Sequence, residues 1–154
     1  MRTKLVLSLI VLLIAGLAAG CAQPAAPAEP AQPSGGGPAA LAVKGQVANE
    51  LALTLDEVKA LGVEKITAEH PKKGAQEYEG VRVKAVLDKA GVKDGAADAV
   101  FTASDGFSGS VALADLNACA DCLIAIDADG VLSMVLPGQP SSAWVKDVVS
   151  IEIK

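Results

Sequence analysis

The stretch Tyr78-Glu79-Gly80-Val81-Arg82-Val83-Lys84-Ala85-Val86-Leu87-Asp88-Lys89-Ala90-Gly91 carries the clearest periodicity in the chain. Val83, Val86, Leu87 and Ala90 stand at i, i+3, i+4 and i+7, so a helix over 83–90 presents them as one apolar stripe. Gly91 follows, where a left-handed residue commonly closes a helix. Upstream, Thr54 and Glu57 have the spacing of a capping box, and Leu55, Val58 and Leu61 predict a short helix over 55–61 before Gly62. Elsewhere the apolar period is two, which predicts strands at 100–103, 110–113 and 149–153, with further strands at 42–47 and 63–68. Leu123–Ile126 and Val131–Leu136 flank Asp127-Ala128-Asp129-Gly130 and read as a hairpin with a glycine-assisted turn. A helical turn is expected at 114–118, and the polar run Glu69–Gly74 reads as a solvated loop. Strands outnumber helices and the helices are short, which makes the domain α+β and sheet-rich.

The amino-terminal end has a different character. Arg2 and Lys4 precede an apolar run from Leu5 to Leu17, shorter than the roughly 20 residues of a spanning helix. Ala18-Ala19-Gly20 then leads directly into Cys21, which resembles a bacterial lipoprotein signal, although Ala18 stands where such signals more often have Leu. The resemblance implies cleavage after Gly20, lipidation of Cys21 and acylation of the new terminus by a palmitate-type chain. Two or three acyl chains hold a protein on a bilayer far more firmly than one. From Ala22 to Ala40 only Ala, Pro, Gln, Glu, Ser and Gly occur, with prolines at 24, 27, 30 and 33 and three glycines at 35–37. Such a segment has no apolar surface to bury and reads as a stalk. The expected organisation is a signal peptide at 1–20, a lipidated cysteine and stalk at 21–40, and one domain at 41–154. The expected location is outside the cytoplasm, anchored to the outer face of the cell membrane or, since Ala22 rather than Asp follows Cys21, to an outer membrane.

The formal charge of −5 becomes −7 when Arg2 and Lys4 leave with the signal. An acidic domain is repelled by phosphate backbones, so nucleic acid is not expected as a partner. One Trp, one Tyr and two Phe are too few for an extended base-stacking or sugar-binding surface.

In order, the chain runs Gly45-x-Val47, Leu53-Thr54-Leu55-Asp56-Glu57-Val58, Tyr78-x-Gly80-Val81-x-Val83-x-x-Val86-Leu87-x-x-Ala90-Gly91 and Val100-Phe101-x-Ala103-x-Asp105-Gly106-Phe107. It continues with Leu113-x-Asp115-Leu116, Asp129-Gly130-x-Leu132, Val135-x-Pro137-Gly138, Trp144-Val145-Lys146 and Ile151-Glu152-Ile153. The series resembles the oxidoreductase molybdopterin-binding domain of the sulfite oxidase family over residues 43–154. That resemblance implies a twisted, partly barrel-like sheet with short peripheral helices. It also implies a molybdenum ion held by a pyranopterin and by a cysteine thiolate from the stretch before Tyr78-x-Gly80-Val81. Here Thr67–Glu79 contains no cysteine, and no carboxylate is an equivalent soft donor. The family's Gly-Gly-Pro-x-Arg-like segment is also missing, because Leu132-Ser133-Met134 runs directly into Val135-Leu136-Pro137-Gly138. Molybdopterin therefore stands as a cofactor by resemblance alone. Carried over by position, the pocket rim would comprise Tyr78, Asp105, Phe107, Ser108, Gln139 and Lys146, with Phe107 and Trp144 equally suited to the core.

Other motifs are less informative. Cys119-Ala120-Asp121-Cys122 fits a disulfide, a pair of free thiols or a redox dithiol. It precedes a strand rather than opening a helix, which does not favour an activated thiolate, and Leu123 occupies the place where haem attachment needs His. The single histidine, His70, is remote in sequence from both cysteines, and zinc requires more ligands than these. Asp105-Gly106 and Asp127-x-Asp129-Gly130 lack the alternating oxygens of a calcium loop and read as turns. Ser104, Ser108, Ser110, Ser141 and Ser142 have no histidine base to make a hydrolase. The leading expectation is a membrane-anchored, non-catalytic binding or accessory module that meets a small ligand or an envelope partner, with no catalytic residue and no metal assigned. The alternatives are a molybdopterin-dependent oxidoreductase, a CxxC dithiol redox protein and a structural envelope lipoprotein.

Overall fold

The computed structural model describes residues 37–154, so the signal at 1–20, Cys21 and most of the stalk lie outside the described residues. The elements run β1 (Leu41–Gly45), β2 (Leu51–Leu53), α1 (Leu55–Lys59), β3 (Val63–His70), β4 (Gly74–Arg82), α2 (Val83–Ala90) and β5 (Asp98–Ala103). They continue with β6 (Ser108–Ala112), α3 (Leu113–Ala118), β7 (Leu123–Ile126), β8 (Leu132–Val135) and β9 (Val148–Ile153). The strands form two open sheets rather than a barrel, one of order β2-β1-β9-β5-β6 and one of order β3-β4-β7-β8. In the first sheet β9 lies at the centre, parallel to β1 and antiparallel to β5, with Val148, Ile151 and Ile153 buried.

Local signals explain the helices. The Thr54 hydroxyl accepts from the Glu57 N–H at 3.3 Å, and the Glu57 carboxylate accepts from the Thr54 N–H at 2.9 Å, so both ends of the capping box are made. The helix stops at Lys59, two residues earlier than the apolar spacing predicts, with Ala60 as its cap. In α2 the four stripe residues Val83, Val86, Leu87 and Ala90 are all buried, and each of the larger three is worth about 1.5–3 kcal/mol of transfer free energy. Gly91 closes it in the left-handed region at φ 67°.

The strands diverge more from the sequence pattern. The expected strand at 110–113 is Ser108–Ala112, because Leu113 turns inward as the first residue of α3. The expected strand at 42–47 is Leu41–Gly45, with Val47 reduced to an isolated bridge to Val92, and β2 is absent from the sequence reading. The largest correction concerns 69–82. The run read as a solvated loop holds the tip of a long hairpin in which Val63–His70 pair residue by residue with Gly74–Val81. Most side chains there are exposed on both faces, so the apolar alternation that marks a half-buried strand is missing.

The second sheet is held at one close approach. A Cβ at Gly80 would collide with the Ile124 carbonyl and lie 2.6 Å from the Ala125 Cα, so β4 meets β7 only through a glycine. Gly80→Ala is expected to lower stability by about 1–3 kcal/mol, as overpacking does, measured by chemical denaturation.

Candidate functional site

Beyond Gly80 the long hairpin loses its neighbour: β4 pairs with β7 only at Gly80–Arg82, and Gly74–Glu79 project past the end of that pairing. A cavity of about 290 Å³ opens along this edge, bounded by β4, by Ala125 and Ile126 of β7 with Asp127 of the turn that follows, by Ser133–Val135 of β8 and by the loop that enters β9. Strand alternation puts His70 of β3 and Gln76 and Tyr78 of β4 on one face of the hairpin. The loop before β9 brings Trp144 against that face. His70 meets the Trp144 ring edge-on at 4.7 Å and 65°, and Tyr78 does so at 6.0 Å and 62°. The only Trp, the only Tyr and the only His of the chain thus converge on one cavity.

The polar groups of these rings differ in state. Nδ1 of His70 accepts from the Lys72 N–H at 3.0 Å, which leaves the neutral ring with its proton on Nε2. The Tyr78 hydroxyl donates to the Gln76 Oε1 at 3.1 Å. Nε1 of Trp144 is buried with no hydrogen-bond partner among the described residues, an omission that costs about 1–3 kcal/mol. Burial pushes the Tyr78 phenol above its ordinary pKa of 10.0.

The charged lining divides by partner. Glu79 pairs with Lys65 across the hairpin at 3.0 Å, and Glu77 shares that face. The Glu79 carboxylate, by hydrogen bond and then by charge, raises the Lys65 ammonium above its ordinary 10.5, and Glu77 adds to this. Asp127 Oδ1 accepts from the N–H groups of Asp129 and Val131 and so shapes the turn between β7 and β8. Lys73 and Lys146 line the cavity without a carboxylate partner among the described residues. Lys146 precedes Asp147, which has φ 51° and accepts hydrogen bonds at its carboxylate and carbonyl from the hydroxyl and N–H of Ser104.

Of the six residues carried over to a pocket rim, the structure brings together Tyr78 and Lys146 only. Asp105 accepts from the Phe107 N–H at 2.8 Å in the turn between β5 and β6, where Phe107 is 52% exposed and Ser108 opens β6. Gln139 donates its N–H to the Leu136 carbonyl in the turn after β8. None of these four lines the cavity. His70, Gln76 and Trp144 were missed as site residues, although a lone His, Tyr and Trp in so aromatic-poor a chain are a signal available before folding.

Residues 63–154 match the family described as the oxidoreductase molybdopterin binding domain. The chain belongs to this family. Its fold is also similar to the crystal structure of the sulfane dehydrogenase SoxCD from Paracoccus pantotrophus, with TM-score 0.62 and 20% identity over 73% of this chain. The likeness covers 37% of that protein's chain, so this chain spans little more than a third of it. No curated protein sequence matches the chain.

The cavity's donor set does not fit a molybdenum pterin held through cysteine. The stretch from which the family draws its thiolate does wall the cavity, but it supplies His70, Gln76 and Tyr78 there. Cys119 and Cys122 are joined in a disulfide between α3 and β7 and line a separate depression with Lys84 and Asp88. The nearby Arg82 is held by Glu64 at 2.8 Å and Asp121 at 3.1 Å on that other side. Among the described residues, neither a thiolate nor a guanidinium lines the cavity where that group would need them.

The raised Tyr78 pKa has a consequence with a defined sign. The neutral phenol is favoured by the fold, so its contribution to stability is intact below 10.0 and is lost as pH rises through the higher folded value. With a single tyrosine in the chain, phenolate absorbance is expected to show a midpoint above 10.0 in the folded protein and near it in denaturant.

Proposed function

We propose that the mature chain is a lipid-tethered, extracytoplasmic member of the molybdopterin-binding oxidoreductase domain family that binds a small ligand or an envelope partner without catalysing a reaction. The observation that supports this reading is that, among the described residues, no thiolate lines the cavity at the open end of the hairpin, since Cys119 and Cys122 are joined in a disulfide at a separate depression. Packing of apolar residues is enough to retain a fold, whereas catalysis depends on a few side chains grafted onto it. The tether rests on the residues around Cys21 and on the Pro- and Gly-rich segment that follows.

A dithiol role for Cys119 and Cys122 is the second reading, favoured by the disulfide itself. Its surroundings favour a structural bond instead. Cys119 follows the carboxyl end of α3, whose partial negative charge opposes a thiolate, and Cys122 is only 2% exposed.

Metal analysis of the full chain, expressed in a host that makes the molybdenum cofactor, is expected to find only trace molybdenum. One ion per chain would overturn the non-catalytic reading. Cys21→Ser is expected to shift the protein from the membrane fraction to the soluble fraction, and retention on the membrane would overturn the tether.

A further inference from the structure

We infer that the cavity takes a small planar aromatic acid, its ring set among His70, Tyr78 and Trp144 and its carboxylate directed to the ammonium groups of Lys73 and Lys146. This rests on the reading that the cavity is a ligand site. It is carried by an inventory of which lining groups still have unused hydrogen-bonding capacity.

The acceptors are largely committed. Glu79 is held by Lys65, Asp127 by the N–H groups of its own turn, and the Gln76 oxygen by the Tyr78 hydroxyl. Glu77 lies with Glu79 on the hairpin face opposite Tyr78, as strand alternation requires. What remains uncommitted is a set of donors. Lys73 and Lys146 have no carboxylate partner among the described residues, His70 carries its proton on the free Nε2, and the buried Nε1–H of Trp144 is unsatisfied. A cation would find one unpaired carboxylate, Glu77, on the hairpin face turned away from the three rings, whereas an anion meets two free ammonium groups.

The rings select the rest of the molecule. Trp144 is the most buried of the three, and the other two rings are inclined to it by 65° and 62°, which favours a flat guest packed by offset or edge contacts over a bulky aliphatic one. A volume of about 290 Å³ sits at the lower end of small-molecule sites, roughly 300–1,000 Å³, and suits one or two rings. Met134 adds an adaptable apolar wall.

The test uses the purified full chain and four probes: benzoate, benzamide, benzylamine and cyclohexanecarboxylate. Binding is read by calorimetry and by the fluorescence of Trp144, the only tryptophan. Benzoate is expected to bind saturably, with benzamide and benzylamine each weaker by about tenfold, the loss of one charge-assisted contact. Cyclohexanecarboxylate is expected to be weaker than benzoate, and Lys146→Ala is expected to reduce benzoate affinity about tenfold with an unchanged melting temperature. Tighter binding of benzylamine, equal binding of benzamide, indifference to Lys146→Ala, or failure of benzoate to bind would each overturn the inference. A preference for benzylamine in a molybdenum-free protein removes this inference alone, whereas stoichiometric molybdenum removes the reading beneath it.

Discussion

The Met134 N–H donates to the Val145 carbonyl at 2.7 Å, and the site depends on that bond. Met134 belongs to β8 of the four-stranded sheet, and Val145 lies three residues before β9, the central strand of the five-stranded one. Both residues are buried, so the bond is made in surroundings where leaving either group unpaired is costly. It fixes the height at which the loop passes the second sheet. Trp144 on one side of Val145 and Lys146 on the other are thereby set at the same cavity. The Ser104 contacts to Asp147 secure the next residue from the opposite direction, through the turn that joins β5 to β6.

Around this clasp the molecule separates what holds the fold from what lines the cavity. Its apolar framework, Ile151, Ile153 and Phe101 in one sheet and Leu123, Ile124 and Leu132 in the other, is buried and belongs to a known oxidoreductase domain family. The cavity draws on residues at the exposed end of a hairpin, where little packing constrains side-chain identity. A thiolate there can be absent, with a histidine, a tyrosine and a glutamine in the wall, at small cost to folding. Family membership thus describes the packing more closely than the chemistry.

Legibility followed the range of the interactions. The capping box at Thr54 and Glu57, the stripe of α2 and the turn at Asp127–Gly130 were readable because each is completed within a few residues. The resemblance carried in Tyr78–Gly91 and the motifs after it pointed to the correct fold class. β4 was not readable, since it is held by backbone pairing to β3 while its side chains at 74–77 are all exposed. Asp105, Phe107, Ser108 and Gln139 were grouped with the pocket on sequence order, but their loops turn back on their own strands by local hydrogen bonds.

By itself the sequence determined the sheet-rich class, the placement of α2, the lack of a cysteine in Thr67–Glu79 and the scarcity of aromatic residues, because composition and short-range periodicity are properties of neighbours. Only the tertiary structure decided that His70, Tyr78 and Trp144 meet, that Cys119 and Cys122 face a different depression, and which charges remain unpaired. Those outcomes depend on strand register and on a loop crossing from one sheet to the other. Hydrogen bonds between residues far apart in the chain set both, and no local pattern encodes them.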